Sequence, residues 1–139
     1  MSPRARLVAA SAVQLAANLT GQVVALQRRR HFDVPFMTGS PEHVGRDSWW
    51  FGTAYSAPSY MLAAQAYAVA RLAAGPDDRA RGMLRLLGTS MIGGYLSERF
   101  NRQVLTGRVV DPVETPIVVL GFAGAIAMAV AGADRQAGR

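Results

Sequence analysis

Three amide side chains are evenly spaced within the first apolar stretch of the chain. Gln14, Asn18 and Gln22 recur at every fourth position, so they lie on one face of a helix. An amide that faces lipid is costly, because nothing around it satisfies its hydrogen bonds. The spacing predicts that the amides face the interior of a helical bundle, where they either line a polar cavity or hydrogen-bond neighbouring helices. We favour the cavity, because three stacked amides exceed what packing alone usually recruits, and we expect them to bind substrate.

Glu98 is the acid whose position is hardest to explain by local structure. It follows the third apolar stretch, at a helix C-terminus where the helix dipole disfavours negative charge. This placement indicates either function or a tight ion pair with Arg46, Arg99 or Arg102, and burial would raise the pKa of its carboxyl toward values useful for acid/base chemistry. Asp47 comes directly before the second stretch and is either its N-cap or a second acid. We expect Glu98 and Asp47 to be catalytic, with Arg46 and Arg99 stabilising charge.

Aromatic side chains near the second apolar stretch complete the predicted substrate site. Trp49 and Trp50 form an aromatic pair of the kind found at membrane headgroup level. Tyr60 and Tyr67 are spaced to share one helix face. We expect Tyr60, Tyr67 and Trp50 to bind substrate together with the amides, beneath a lid formed by the long loop 28–48.

The remaining polar residues are interpreted as structural or surface groups. Asp111 and Glu114 match a capping box before the last apolar stretch, and His31 and His43 are interpreted as polar loop surface. The chain has no cysteine, and its histidines lack the spacing of metal motifs. We therefore expect neither a metal nor a cofactor.

Four apolar stretches must position these groups. They cover residues 7–27, 49–74, 83–98 and 116–133. A bilayer core of about 30 Å needs about 20 helical residues, and the third stretch spans it only if the Arg85 side chain reaches the interface. The last stretch has no polar stripe for solvent. The sequence predicts a single all-α domain over residues 1–139, an integral membrane four-helix bundle with a long, partly ordered loop between its first and second helices.

The charge of the chain is typical of a membrane protein rather than a nucleic-acid binder. All 15 basic residues are arginines, and the net charge is +6. They lie between apolar stretches without the aromatic interleaving that base stacking needs. Because the arginines divide almost evenly between the two predicted sides, they leave the orientation open. The Ala-, Gly- and Arg-rich composition favours a bacterial source. Together with the four predicted spans, it predicts a multi-pass protein of the cell membrane, the bacterial inner membrane.

These features favour a membrane-embedded enzyme, or an enzyme-like binder, for a small lipophilic molecule. The expected chemistry is cofactor-free acid/base catalysis such as isomerisation, cyclisation or hydrolysis. The expected partners are membrane lipid and the lipophilic ligand. Two alternatives stay open: a small oligomeric transporter whose subunits meet through Gly121 and Gly124, and an accessory membrane subunit without chemistry of its own.

Overall fold

The computed structural model describes residues 1–134, and this part of the chain is all-α. Two pairs of residues, β1 (Asp33–Val34) and β2 (Met37–Thr38), form a minimal antiparallel hairpin in the loop after the first helix. A 3-10 turn, Pro41–His43, follows it. The elements in chain order are α1 (Pro3–Arg28), β1 (Asp33–Val34), β2 (Met37–Thr38), α2 (Val44–Trp50), α3 (Ser59–Ala74), α4 (Asp78–Ser97), α5 (Arg99–Leu105) and α6 (Glu114–Ala133).

The four longer helices, α1, α3, α4 and α6, pack against one another. Helix α6 lies against both α1 and α4, and α3 contacts the same two helices. Close approach depends on glycine: a Cβ at Gly124 would lie 2.7 Å from Cβ of Gln14, and one at Gly121 would collide with the Tyr95 hydroxyl. Both glycines therefore serve packing within the chain, and their positions do not support the subunit contact that the transporter alternative predicts.

The helix ends follow from local capping. The Ser2 hydroxyl accepts a hydrogen bond from the Ala5 N–H at 3.0 Å at the start of α1, and the Asp77 carboxylate accepts one from the Ala80 N–H at 2.9 Å at the start of α4. These side chains satisfy N–H groups that the first turn leaves free. Helix α4 consequently begins at Asp78, several residues before the third apolar stretch.

The second apolar stretch does not form one helix. Helix α2 ends at Trp50, and α3 begins only at Ser59. Between them, Gly52 has a φ of +86°, a conformation that glycine adopts readily. Pro58 has no N–H and disfavours helical geometry in the residue before it. Residues 49–74 therefore comprise the end of α2, an irregular segment and the 16-residue helix α3.

Two helices, α1 and α6, are long and apolar enough to cross a membrane. Only 33% and 39% of their most apolar windows are buried in the chain, so the rest of each window is at least partly exposed. On α6 the exposed side chains include Val119, Leu120 and Val130. Soluble monomers rarely leave large apolar patches uncovered. The exposure therefore supports membrane association.

A cluster of charged residues joins the end of α1 to the start of α6. We call Arg28, Arg30, Asp111 and Glu114 the Glu114 ion cluster. Glu114 is 2% exposed, and its Oε1 lies 2.9 Å from Arg28 Nη1 and 3.2 Å from Arg30 Nε. Asp111 Oδ1 accepts hydrogen bonds from the N–H groups of Val113 and Glu114. The two acids therefore have structural contacts, as interpreted from the sequence.

Candidate functional site

A cavity of about 360 Å³ lies between the four-helix packing and the loops that follow α1 and α2. This volume is at the lower end of the range of about 300–1,000 Å³ found for small-molecule sites. Its apolar wall includes Phe32, Val34, Phe36, Met37, Trp50, Phe51, Met61 and Met91. Its polar lining consists of Asn18, Thr53, Tyr55, Ser56, Tyr60, Ser90, Tyr95, Glu98 and Asn101. The space is mostly apolar, with polar groups at a few positions.

Glu98 is the one acidic side chain among the described lining residues. It is 4% exposed, and its two carboxylate oxygens accept hydrogen bonds from the Asp33 N–H at 3.1 and 2.9 Å. Burial raises the pKa of the Glu98 carboxyl to about 7, against a smaller lowering by that backbone hydrogen bond. A carboxyl with this pKa can both give and take a proton near neutral pH.

The position of Glu98 is a junction between two helices rather than a free helix end. It follows the last residue of α4 and directly precedes the first residue of α5. The N-terminal dipole of α5 favours a negative charge there and partly offsets the unfavourable end of α4. The short helix α5 was missed from the sequence because residues 99–105 lack a long apolar period.

None of the three arginines named for an ion pair with Glu98 forms a salt bridge with it within residues 1–134, although the charge of Arg102 acts to lower the pKa of the Glu98 carboxyl. Arg99 instead lies 3.6 Å from the Asp33 carboxylate, and Arg46 pairs with Asp47 at 3.0 Å. Both arginine side chains are 64% exposed, which explains why neither reaches the buried carboxyl. Neither arginine lines the cavity, so their positions do not support the predicted role of stabilising charge in the site.

Asp47 is buried but does not line the cavity. It is 2% exposed and lies inside α2, so it is neither the cap of α2 nor that of α3. Its carboxylate accepts from Arg46 Nε at 3.1 Å, and its carbonyl accepts from the N–H groups of Phe51 and Gly52. Asp47 therefore anchors the end of α2, and the catalytic role predicted for it is not supported by its position.

Asn18 is the one amide of the α1 row that lines the cavity. Its Nδ2 donates to the Tyr95 hydroxyl and to the Gln14 carbonyl, both at 3.3 Å. Its Oδ1 accepts from the Ala57 N–H at 2.8 Å. Asn18 therefore connects α1 to α4 and to the segment before α3, and it fixes the relative position of two cavity walls.

The other two amides of this row connect helices instead of lining the cavity. Gln14 is fully buried, and its Oε1 accepts from Gln65 Nε2 at 2.7 Å. Gln22 donates through Nε2 to the Ser59 hydroxyl at 2.7 Å. Neither Gln14 nor Gln22 lines the cavity, so their positions do not support the prediction that they bind substrate. The inward orientation follows from the cost of an unsatisfied amide, but neighbouring side chains satisfy these two.

Of the three aromatic residues predicted to bind substrate, two line the cavity and one does not. Trp50 and Tyr60 line the cavity while remaining 66% and 57% exposed, so they lie at its mouth. Tyr67 is 62% exposed and does not line it. Seven residues of helix separate Tyr67 from Tyr60 by about 10 Å. The position of Tyr67 therefore does not support its predicted role in substrate binding.

Tyr95 and Asn101 belong to the site although sequence reasoning did not assign them to it. Tyr95 is 6% exposed and Asn101 is 4% exposed, and both line the cavity. Asn101 is three residues after Glu98, a spacing that shares one helix side. This spacing could have identified Asn101 only if a helix had been predicted after Glu98.

Within residues 1–134, no group of three His, Cys, Asp or Glu side chains could hold a metal ion. Comparison of the chain with protein-family models, with curated proteins and with solved structures finds no match. The function must therefore be argued from the cavity itself.

Proposed function

We propose that this chain is a multi-pass membrane protein that binds a small lipophilic molecule and acts on it by cofactor-free acid/base chemistry at Glu98. The observation that carries the proposal is a mostly apolar cavity with one buried carboxyl in its wall. Such a cavity recognises hydrocarbon by burial, and the carboxyl supplies a proton-transfer group where water is scarce.

The membrane part of the proposal is supported by the outward apolar surface of the helices. Beyond α1 and α6, helix α4 exposes Leu86 and Leu96, and α3 exposes Tyr60 and Tyr67. We propose that α1, α3, α4 and α6 form a four-helix bundle in the cell membrane, in a bacterial inner membrane as the composition favours. Arginines outside the apolar segments would contact lipid phosphate.

The cavity mouth suits entry from lipid. Phe36, Trp50 and Tyr60 line the cavity and are 84%, 66% and 57% exposed. Aromatic side chains of this kind prefer the membrane interface. A lipophilic molecule could pass between them without crossing a layer of charged groups.

Among acid/base reactions, isomerisation fits the cavity best. Glu98 is the only Asp, Glu, His or Arg among the described lining residues, so one group must both remove and return the proton. A single carboxylate can take a proton from one carbon of the substrate and deliver it to another, which moves a double bond and leaves Glu98 as it began. The pKa of about 7 suits both half-steps.

The test uses a Glu98 variant to retain unconverted substrate. Glu98→Gln keeps the size of the side chain and removes the proton-transfer group. Lipophilic material extracted from the purified Glu98→Gln protein is added to wild type in mild detergent, and its conversion is followed by liquid chromatography and mass spectrometry. We expect conversion by wild type and a rate lower by about 10²–10⁴-fold in Glu98→Gln.

Two neighbouring glycines provide a matched control for the cavity. A Cβ at Gly94 or at Gly93 meets nothing within 4 Å, but only Gly94 lines the cavity. Gly94→Leu should fill the space and lower the amount of co-purified ligand at least tenfold, whereas Gly93→Leu should retain it. Equal retention by both variants would contradict the cavity as the binding site. Retained ligand without conversion by wild type would contradict the catalytic part and leave a binding protein.

A further inference from the structure

Asn101 is a buried amide whose side-chain oxygen has no hydrogen-bond partner among the described residues. Its side chain is 4% exposed, and its Oδ1 has no partner within residues 1–134. Buried polar side chains are almost always hydrogen-bonded, and the exceptions call for an explanation such as a ligand. Because Asn101 lines the cavity, its missing partner can come from whatever occupies that space.

The other buried polar groups of the cavity are already engaged by the protein. Asn18 uses both ends of its amide, and its Nδ2 binds the Tyr95 hydroxyl. The Thr53 hydroxyl lies 2.8 Å from that of Ser56. Glu98 accepts from the backbone N–H groups of Asp33 and Phe100, and a carboxylate with about four lone-pair sites keeps some acceptor capacity beyond these. The buried Tyr55 hydroxyl hydrogen-bonds Glu114, so Glu98 and Asn101 are the buried lining groups that we consider for contact with a ligand.

We infer that the ligand of this cavity carries a hydroxyl group, which Asn101 holds beside Glu98, while its hydrocarbon part lies among Phe32, Met61 and Met91. The inference rests on the proposed lipophilic-ligand site and names the chemical class of that ligand. A hydroxyl both donates and accepts a hydrogen bond, so it matches an amide in either orientation. Ethers and ketones only accept, and a hydrocarbon does neither.

The experiment uses brominated probes whose bromine quenches tryptophan fluorescence on contact. The chain has two tryptophans, and of the two only Trp50 lines the cavity, so Trp49→Phe leaves one reporter there. The probes are 10-bromodecan-1-ol, 10-bromodecyl methyl ether and 1-bromodecane, titrated into full-length protein in mild detergent. Saturable quenching that Gly94→Leu abolishes and Gly93→Leu retains defines binding in the cavity.

We expect the alcohol to bind about three- to tenfold more tightly than the ether and the bromoalkane, as one buried hydrogen bond allows. Asn101→Leu replaces the amide by an apolar side chain of similar size and should reduce this ratio to about one without weakening 1-bromodecane. Asn101→Ser, which keeps a polar group, should retain part of the preference and guards against a folding defect in the leucine variant.

Two results would overturn the inference in distinguishable ways. An alcohol preference that is absent in wild type, or that persists in Asn101→Leu, would refute the role of Asn101 and leave the lipophilic cavity intact. Saturable quenching by none of the three probes would refute the proposed binding site and the hydroxyl inference together.

Discussion

Two buried glutamates have similar exposure and opposite surroundings. Glu114 is 2% exposed and lies within ion-pair distance of Arg28 and Arg30, whereas Glu98 is 4% exposed and accepts hydrogen bonds from a backbone N–H. Charge compensation at Glu114 fixes α1 against α6. Glu98 lacks a paired cation within residues 1–134 and lines a cavity. Burial of an acid therefore does not by itself indicate function; the group that the carboxyl faces decides.

The first prediction separates the two glutamates by stability. Glu114→Gln removes the charge that compensates two arginines, and we expect it to lower the free energy of unfolding by about 3–4 kcal/mol, the lower part of the range for breaking a buried ion pair because both arginines are partly exposed. Glu98→Gln should not destabilise the protein at neutral pH. Thermal unfolding of both variants in the same detergent measures the difference. An equal loss of stability in the two variants would contradict the difference proposed between the two glutamates.

The second prediction concerns pH. Because the pKa of Glu98 is about 7 in the folded chain against 4.5 for a free side chain, the folded state binds the extra proton between these values. The stability from this group is complete below pH 4.5 and is lost as pH rises through 7, by up to about 3 kcal/mol relative to Glu98→Gln. Melting temperatures of wild type and variant are compared from pH 4.5 to 8. A constant or rising difference in favour of wild type would contradict the burial of this carboxyl.

The third prediction tests the helix contacts around the cavity. Asn18→Leu leaves the Ala57 N–H and the Tyr95 hydroxyl without their partner, and we expect a loss of about 2 kcal/mol. The exposed Tyr67 serves as the control, and Tyr67→Phe should change stability by less than about 0.5 kcal/mol. Chemical denaturation of the two variants gives both values. A loss at Tyr67 as large as at Asn18 would place Tyr67 in a contact that the structure does not show.

The smallest expected effect is at the two exposed arginines. Arg46→Ala and Arg99→Ala each remove a surface ion pair, which contributes about 0–1 kcal/mol, and neither side chain lines the cavity. Conversion of the ligand extracted from Glu98→Gln should change less than threefold in either variant. A loss of conversion comparable to that of Glu98→Gln would restore the catalytic role first expected for these arginines.

Local patterns predicted the elements better than they predicted the site. The apolar runs indicated α1 and α6, because length and hydrophobicity are properties of the sequence itself. The second run was predicted as one helix from its apolar composition, although Gly52 and Pro58 are the residues that divide it. Glu98 was found because its local placement is unfavourable. Asp47 is also a carboxylic acid, but it does not line the cavity. Whether a side chain faces the cavity depends on tertiary contacts, which sequence spacing does not show.

In the proposed membrane bundle, the limited length of α3 would have a consequence for the surrounding lipid. Sixteen residues give a helix of about 24 Å, short of a hydrocarbon core of about 30 Å, whereas the 26 residues of α1 give about 39 Å. In a bilayer this hydrophobic mismatch is relieved by thinning of the membrane beside the shorter helix or by tilting of the longer one. Acyl chains on the α3 flank would then be compressed, and protein activity in vesicles should depend on the chain length of the phospholipid.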